Sequence, residues 1–189
     1  MLHVAVCIGD AAVAGVGDGN PICFLGCIWL PPLGANDALQ GRAGVQGDRH
    51  RLTNRSLFRI WSQEVVRYGD VDVQGHVNNV CFARFSETGR VDFVYNTFKE
   101  MAPEGCYFVI ARLIVDFRRE ILWPSTVDIG TAVLALGRTS FTLGQGMFVG
   151  EDCVATAENV LVLNKNETRR STPLPEAFRA HLQGFAAKV

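Results

Sequence analysis

The apolar residues between Val80 and Phe98 do not keep to one side of a helix. Val80, Ala83, Val91, Val94 and Phe98 recur at helical spacing, and Phe82, Phe85, Gly89 and Phe93 cover an adjacent face. A helix that is apolar on two faces is wrapped on several sides rather than laid on a surface. The chain downstream of it supplies the wrapping. Four strand-like runs come next, Tyr107 to Phe117, Thr126 to Leu136, Ser140 to Val149 and Cys153 to Leu163. The turn candidates between them are Trp123-Pro124-Ser125, Gly137-Arg138 and Gly150-Glu151-Asp152, the last short enough for a hairpin. A first strand is read at Phe58 to Tyr68, and a short helix around Glu176 to Phe185 closes the chain. The order strand, helix, four strands predicts an α+β layer, with one long helix against a five-stranded antiparallel sheet. The uncovered sheet edges favour dimerisation edge to edge.

The first 55 residues read differently. They hold nine of the nineteen glycines and three of the seven prolines, and they show little hydrophobic periodicity. Residues 1–55 are expected to be a poorly ordered extension, or sequence upstream of the true start, and residues 56–189 the domain. A secretory signal is disfavoured because Asp10 and Asp18 precede the apolar run and no basic region opens the chain; a mitochondrial transit peptide is the lesser alternative. The chain is long enough, at 189 residues, for one domain with a sizeable core. A formal net charge of −1 argues against a general nucleic-acid or membrane-surface binder. There is no uninterrupted apolar run long enough to predict a membrane span. The six cysteines lack paired C-x-x-C spacing, so no metal site is expected, and they read as free thiols of a reducing, cytoplasmic compartment.

The chemistry concentrates between Arg67 and Asn79, R-Y-G-D-V-D-V-Q-G-H-V-N-N, at the passage from first strand through polar loop to helix. Such loops on rigid scaffolds are where catalytic groups are commonly mounted. A helix start adds unpaired N–H groups suited to an oxyanion. Asp72 is a carboxylate already ionised at neutral pH, able to attack an electrophilic carbonyl or to take a proton from water. The plainer alternative is a loop aspartate shaping a turn. Asp70 is a reserve acid, expected rather to form loop bonds. Asn78 or Asn79 suits the N-cap. His76 reads as a packing or hydrogen-bonding loop residue more readily than as a base. Glu87 is a second reserve, with an i,i+3 partner in Arg90.

The run Asp70, Asp72, Gly75, His76, Val77, Asn78, Asn79, followed by Glu87 and Arg90, resembles the motif of hotdog-fold acyl-CoA thioesterases of the 4-hydroxybenzoyl-CoA thioesterase type. Gly137-Arg138-Thr139-Ser140 and Pro173-Leu174-Pro175-Glu176 resemble two further stretches of that family. The resemblance implies a hotdog fold, a five-stranded antiparallel sheet wrapped around one long helix. It implies an acyl-CoA substrate, or one carried on acyl-carrier protein, and no cofactor. Asp72 would be nucleophile or general base, and the N–H of Asn79 the oxyanion donor, with Asn78 and His76 beside it. It also implies a site between subunits of a homodimer or homotetramer, where Arg138, Thr139 and Ser140 line the pantetheine channel. Arg118 and Arg119 are further candidates for the phosphates of coenzyme A. Two alternatives remain at this level. One is a hotdog-fold enoyl-CoA hydratase, disfavoured because Asp72 and His76 stand four apart and D-x-N-P-x-H is missing. The other is a non-catalytic module binding acyl-CoA or acyl-carrier protein.

Overall fold

The computed structural model describes residues 3–6, 51–98 and 103–187. The strands are β1 (His3–Val6), β2 (Ile60–Val65), β3 (Cys106–Phe117), β4 (Thr126–Leu136), β5 (Ser140–Val149) and β6 (Asp152–Lys165). The helices are α1 (Asn79–Phe98) and α2 (Glu176–Gln183). All neighbours pair antiparallel in the order β1-β3-β6-β5-β4-β2. The five strands expected from the sequence are therefore present, with β4 and β5 at the expected bounds and β2 shorter than the apolar pattern suggested. A sixth, β1, comes from the amino-terminal region. It lies on the free edge of β3, pairing His3 with Asp116 through Val6 with Leu113. The rest of that edge, Cys106 to Arg112, carries no further strand among the described residues.

α1 lies on the inner face of the curved sheet. Phe82 and Phe85 pack with Val115, Val127, Ile129 and Met147 at one end, while Phe93 packs with Val133, Leu143 and Leu163 at the other. Midway, the contact is polar. The Ser86 hydroxyl donates to Gln145 Oε1 (2.5 Å), and Asn159 Nδ2 donates to the same oxygen (2.7 Å). Gln145 Nε2 returns a bond to the Ser86 carbonyl (3.0 Å), and Arg90 donates to Asn159 Oδ1 (2.8 Å). Ser86, Gln145 and Asn159 are all fully buried. A buried polar group without a partner costs roughly 1–3 kcal/mol, so this reciprocal set fixes one register of helix against sheet.

The outer face of the sheet is covered by a segment that straddles the expected domain start. Two short 3-10 turns, Arg51–Thr53 and Arg55–Leu57, carry Leu52, Leu57 and Phe58 onto it. Leu52 is fully buried. It fits because β5 is bare there: a Cβ on Gly144 would meet the Leu52 side chain at 2.7 Å, and one on Gly146 the Leu52 carbonyl at 2.5 Å. Arg55 fastens the strap, donating to Asp128 (3.0 Å) and to the Gly150 carbonyl (2.8 Å). The sequence boundary at Ser56 thus leaves out Leu52, a core residue. Most of the expected extension, residues 7–50, lies outside the described residues.

Leu52→Ala should lower the unfolding free energy by about 3 kcal/mol, the usual cost of emptying a packed leucine site. Urea denaturation would read this as a lower midpoint with the slope unchanged.

Candidate active site

β2 ends beside the start of β4, where Val65 pairs with Thr126. The chain then makes a 3-10 turn at Tyr68–Asp70 and enters the polar loop. Two fasteners hold that loop. The first is Asp70. Its Oδ2 accepts from the Arg67 N–H (2.8 Å) and pairs with Arg84 on α1 (2.7 Å), while its carbonyl accepts from the Asn78 N–H (2.8 Å). Burial pushes the Asp70 carboxyl up, but the Arg67 N–H and the Arg84 guanidinium outweigh it and hold the carboxyl below its ordinary value. Asp70 is thus engaged in shaping the loop.

The second fastener is the segment after β3. The Val77 N–H donates to the Ile121 carbonyl (2.9 Å), His76 bridges to Leu122, and His76 Nε2 stands 3.0 Å from a Glu120 carboxylate oxygen. Between the fasteners the chain reverses tightly. Val71 faces Val77, the Asp72 N–H donates to the His76 carbonyl (2.8 Å), and the Gly75 N–H donates to the Asp72 carbonyl (3.0 Å). The reversal passes through φ +85° at Gly75, a region that side chains with a Cβ rarely enter.

Asp72 sits at the centre of this turn. Its Oδ1 accepts from the Gln74 N–H (2.8 Å) and the His76 N–H (3.3 Å). Among the described residues its other oxygen, Oδ2, has no hydrogen-bond partner. The turn-shaping role and the role of a free carboxylate are thus divided between the two oxygens of one side chain. Asn78 is the cap: its side-chain oxygen accepts from the Val80 N–H (3.0 Å). Asn79 opens α1, so its N–H has no acceptor within the helix, and none is found elsewhere among the described residues. An unpaired N–H at a helix start can polarise a carbonyl, and a half-pinned carboxylate in the loop leading into it can act as nucleophile or as base toward water.

The other predicted residues divide by position. Arg118 and Arg119 follow β3 at the same end of the sheet, both N–H groups bonded to the Val154 carbonyl. The Arg118 Nε is buried without a partner among the described residues. Arg119, Glu120, Leu122, Val149, Asp152 and Val154 line a cleft of about 480 Å³. Arg138, Thr139 and Ser140 are not brought to this place. They turn between β4 and β5 at the opposite end of the sheet, where the Arg138 carbonyl accepts from Leu174 and that of Thr139 from Leu163. The length of β4 separates them from the acid loop, roughly 33 Å at 3.3 Å per residue. Glu87 is exposed and 3.5 Å from Arg90, as its i,i+3 spacing suggested. Glu120 was missed by the sequence reading, because it stands far along the chain in an unremarkable Arg-Arg-Glu run. Among the described residues no helix is long and apolar enough to cross a membrane.

Comparison with known proteins gives consistent results. The model of the Thioesterase-like superfamily matches residues 66–182. A 1,4-dihydroxy-2-naphthoyl-CoA hydrolase of Synechococcus elongatus is 25% identical over 128 residues, covering 64% of this chain and 93% of that protein. A thioesterase of Thermus thermophilus, solved with coenzyme A and Zn, is 31% identical; the match covers 68% of this chain and 95% of that one, with a TM-score of 0.60. A DHNA-CoA thioesterase of Staphylococcus aureus aligns at a TM-score of 0.58 over 66% of this chain and 87% of that one; at 19% identity it speaks for the hotdog fold alone.

A carboxyl held low by the fold stabilises the folded state above its unfolded value, and that stability is lost as pH falls through the folded value. Wild-type protein should therefore lose stability on acidification below about pH 4, the ordinary range of an aspartate. Asp70→Asn should be less stable at pH 7 and show a weaker acid dependence, as thermal melting from neutral pH down through the range below about pH 4 would report.

Proposed function

Because the chain belongs to the Thioesterase-like superfamily and is a thioester hydrolase, we propose that its substrate is an acyl-CoA and that Asp72 performs the chemistry. The observation that carries this reading is the division of labour in the Asp72 carboxylate. One oxygen is pinned by two backbone N–H groups, and the other has no partner among the described residues, in the loop that leads into α1. The thioester carbonyl oxygen takes the N–H of Asn79, and negative charge that develops there is favoured by the helix start. Oδ2 then attacks the carbonyl carbon to give an acyl-aspartyl anhydride, which water cleaves, or it takes a proton from a water that attacks directly. On either route one water is consumed, the C–S bond breaks, and free acid and coenzyme A leave.

His76 has no acid or base duty in this scheme. Its ring is held by Glu120 rather than by Asp72, which supports hydrolysis over hydration. The coenzyme A named with the Thermus thermophilus thioesterase supports a CoA thioester, and the naphthoyl-CoA hydrolase likeness supports an aromatic acyl group among those to be tried first.

The active unit is a homodimer, or a pair of dimers. Two features support this. Arg138 to Ser140 lie a strand length from Asp72 in one chain, so both sets join one site only if the turn comes from a second copy. A two-fold pairing along the open stretch of β3 carries the partner's turn toward the loop. In addition, α1 leaves Val80, Val91 and Tyr95 exposed, at 70%, 51% and 56%, which a monomeric helix of this fold has no reason to do.

Thiol release from a panel of aliphatic and aromatic acyl-CoAs tests the chemistry. Asp72→Asn should bind substrate and lose at least about 100-fold in kcat. Binding without turnover by the wild-type protein would instead mark a non-catalytic module. The shared site has its own test. Mixed dimers of Asp72→Asn and Arg138→Ala chains contain one intact site, and should be more active than either parent. Activity at the mean of the parents would place both residues within one chain's site.

A further inference from the structure

Glu120 has no place in the chemistry above, yet it meets the acid loop at the residue that bonds to Asp72. Its carboxylate oxygen lies 3.0 Å from His76 Nε2. The His76 N–H is the longer of the two bonds to Asp72 Oδ1, 3.3 Å against 2.8 Å from Gln74. On the Arg67 side the loop is held by a charged side-chain pair, Asp70 with Arg84. On the His76 side, the Glu120 contact is the side-chain tie among the described residues, beside the Ile121 and Leu122 backbone contacts. We infer that Glu120 is a positioning residue, holding His76 so that its N–H pins one oxygen of Asp72 and leaves the other free for the thioester. The inference rests on Asp72 being the catalytic carboxylate.

The energetics favour positioning over stability. His76 is 42% exposed and Glu120 61% exposed, and ion pairs that open to water add little to folding. Catalysis is far more sensitive to geometry, since a small misplacement of a reacting group is costly. Only an Nε2–H can face a carboxylate at this distance, so the pair also sets which ring nitrogen carries the proton. Glu120 further lines the 480 Å³ cleft with Arg119 and Leu122, so the tie stands at the wall between cleft and loop.

Steady-state kinetics of Glu120→Ala, Glu120→Gln, His76→Ala and the Glu120→Ala/His76→Ala double variant, with melting curves, test this. Glu120→Ala should lose about tenfold in kcat, with KM and melting temperature unchanged. Glu120→Gln keeps an acceptor for Nε2–H and should stay near wild type. The double variant should be no worse than His76→Ala alone, because the two side chains act through one contact. Wild-type kcat in Glu120→Ala, additive losses in the double variant, or a Glu120→Gln as impaired as the alanine form would overturn the role. Asp72→Asn run alongside separates the two readings. If it is inactive while Glu120→Ala keeps wild-type kcat, the Glu120 inference alone fails. If Asp72→Asn turns over, the catalytic assignment fails and the inference with it.

Discussion

The fold depends on one face of α1, which sets Phe82, Phe85, Ser86 and Phe93 against the sheet, while Val80, Val91 and Tyr95 on the opposite side stay exposed, so the helix is not wrapped on several sides as its apolar pattern suggested. Phe82, Phe85 and Phe93 are all buried against the sheet, and they point from α1 into different parts of it. The Ser86, Gln145, Asn159 and Arg90 set then removes sliding as an option, because any shift of the helix would leave buried donors and acceptors unpaired. With the helix register fixed, the place of Asn79 is fixed too. The active loop inherits its geometry from the core.

The loop itself solves a conflict. An aspartate that shapes a turn is tied up in hydrogen bonds, and an aspartate that does chemistry must be accessible. Asp72 divides the two demands between its oxygens: one is bonded within the turn, and the other has no partner among the described residues. Gly75 allows the tight reversal, Asp70 and Arg84 hold one shoulder, and the Glu120 to Leu122 segment holds the other. Asn78 caps the helix with its side chain, and the backbone N–H of Asn79 has no acceptor among the described residues.

Much of this was legible in the sequence, and the reasons are local. β4 and β5 were found at their observed ends because Pro124-Ser125, Gly137-Arg138 and Gly150-Glu151 punctuate them clearly. The helix and the acid loop were read from periodicity and from a dense polar run. What escaped depends on contacts between distant residues. Leu52 is a single leucine after a glycine-rich stretch, and its importance comes from Gly144 and Gly146, far along the chain on β5. Gln145 and Asn159 look like ordinary polar strand residues until the sheet faces Ser86. Glu120 pairs with His76 across an entire helix and strand. The four-residue β1 is too short for any pattern to single it out.

The central claim is that the unpaired Asp72 oxygen and the Asn79 N–H address one thioester. A crystal structure of Asp72→Asn protein with an intact acyl-CoA tests it most directly. The account predicts the thioester carbonyl oxygen within about 3 Å of the Asn79 nitrogen, and the carbonyl carbon in van der Waals contact with the side chain at position 72. A well-ordered acyl-CoA whose thioester lies elsewhere, with residue 72 and the helix start untouched, would contradict it.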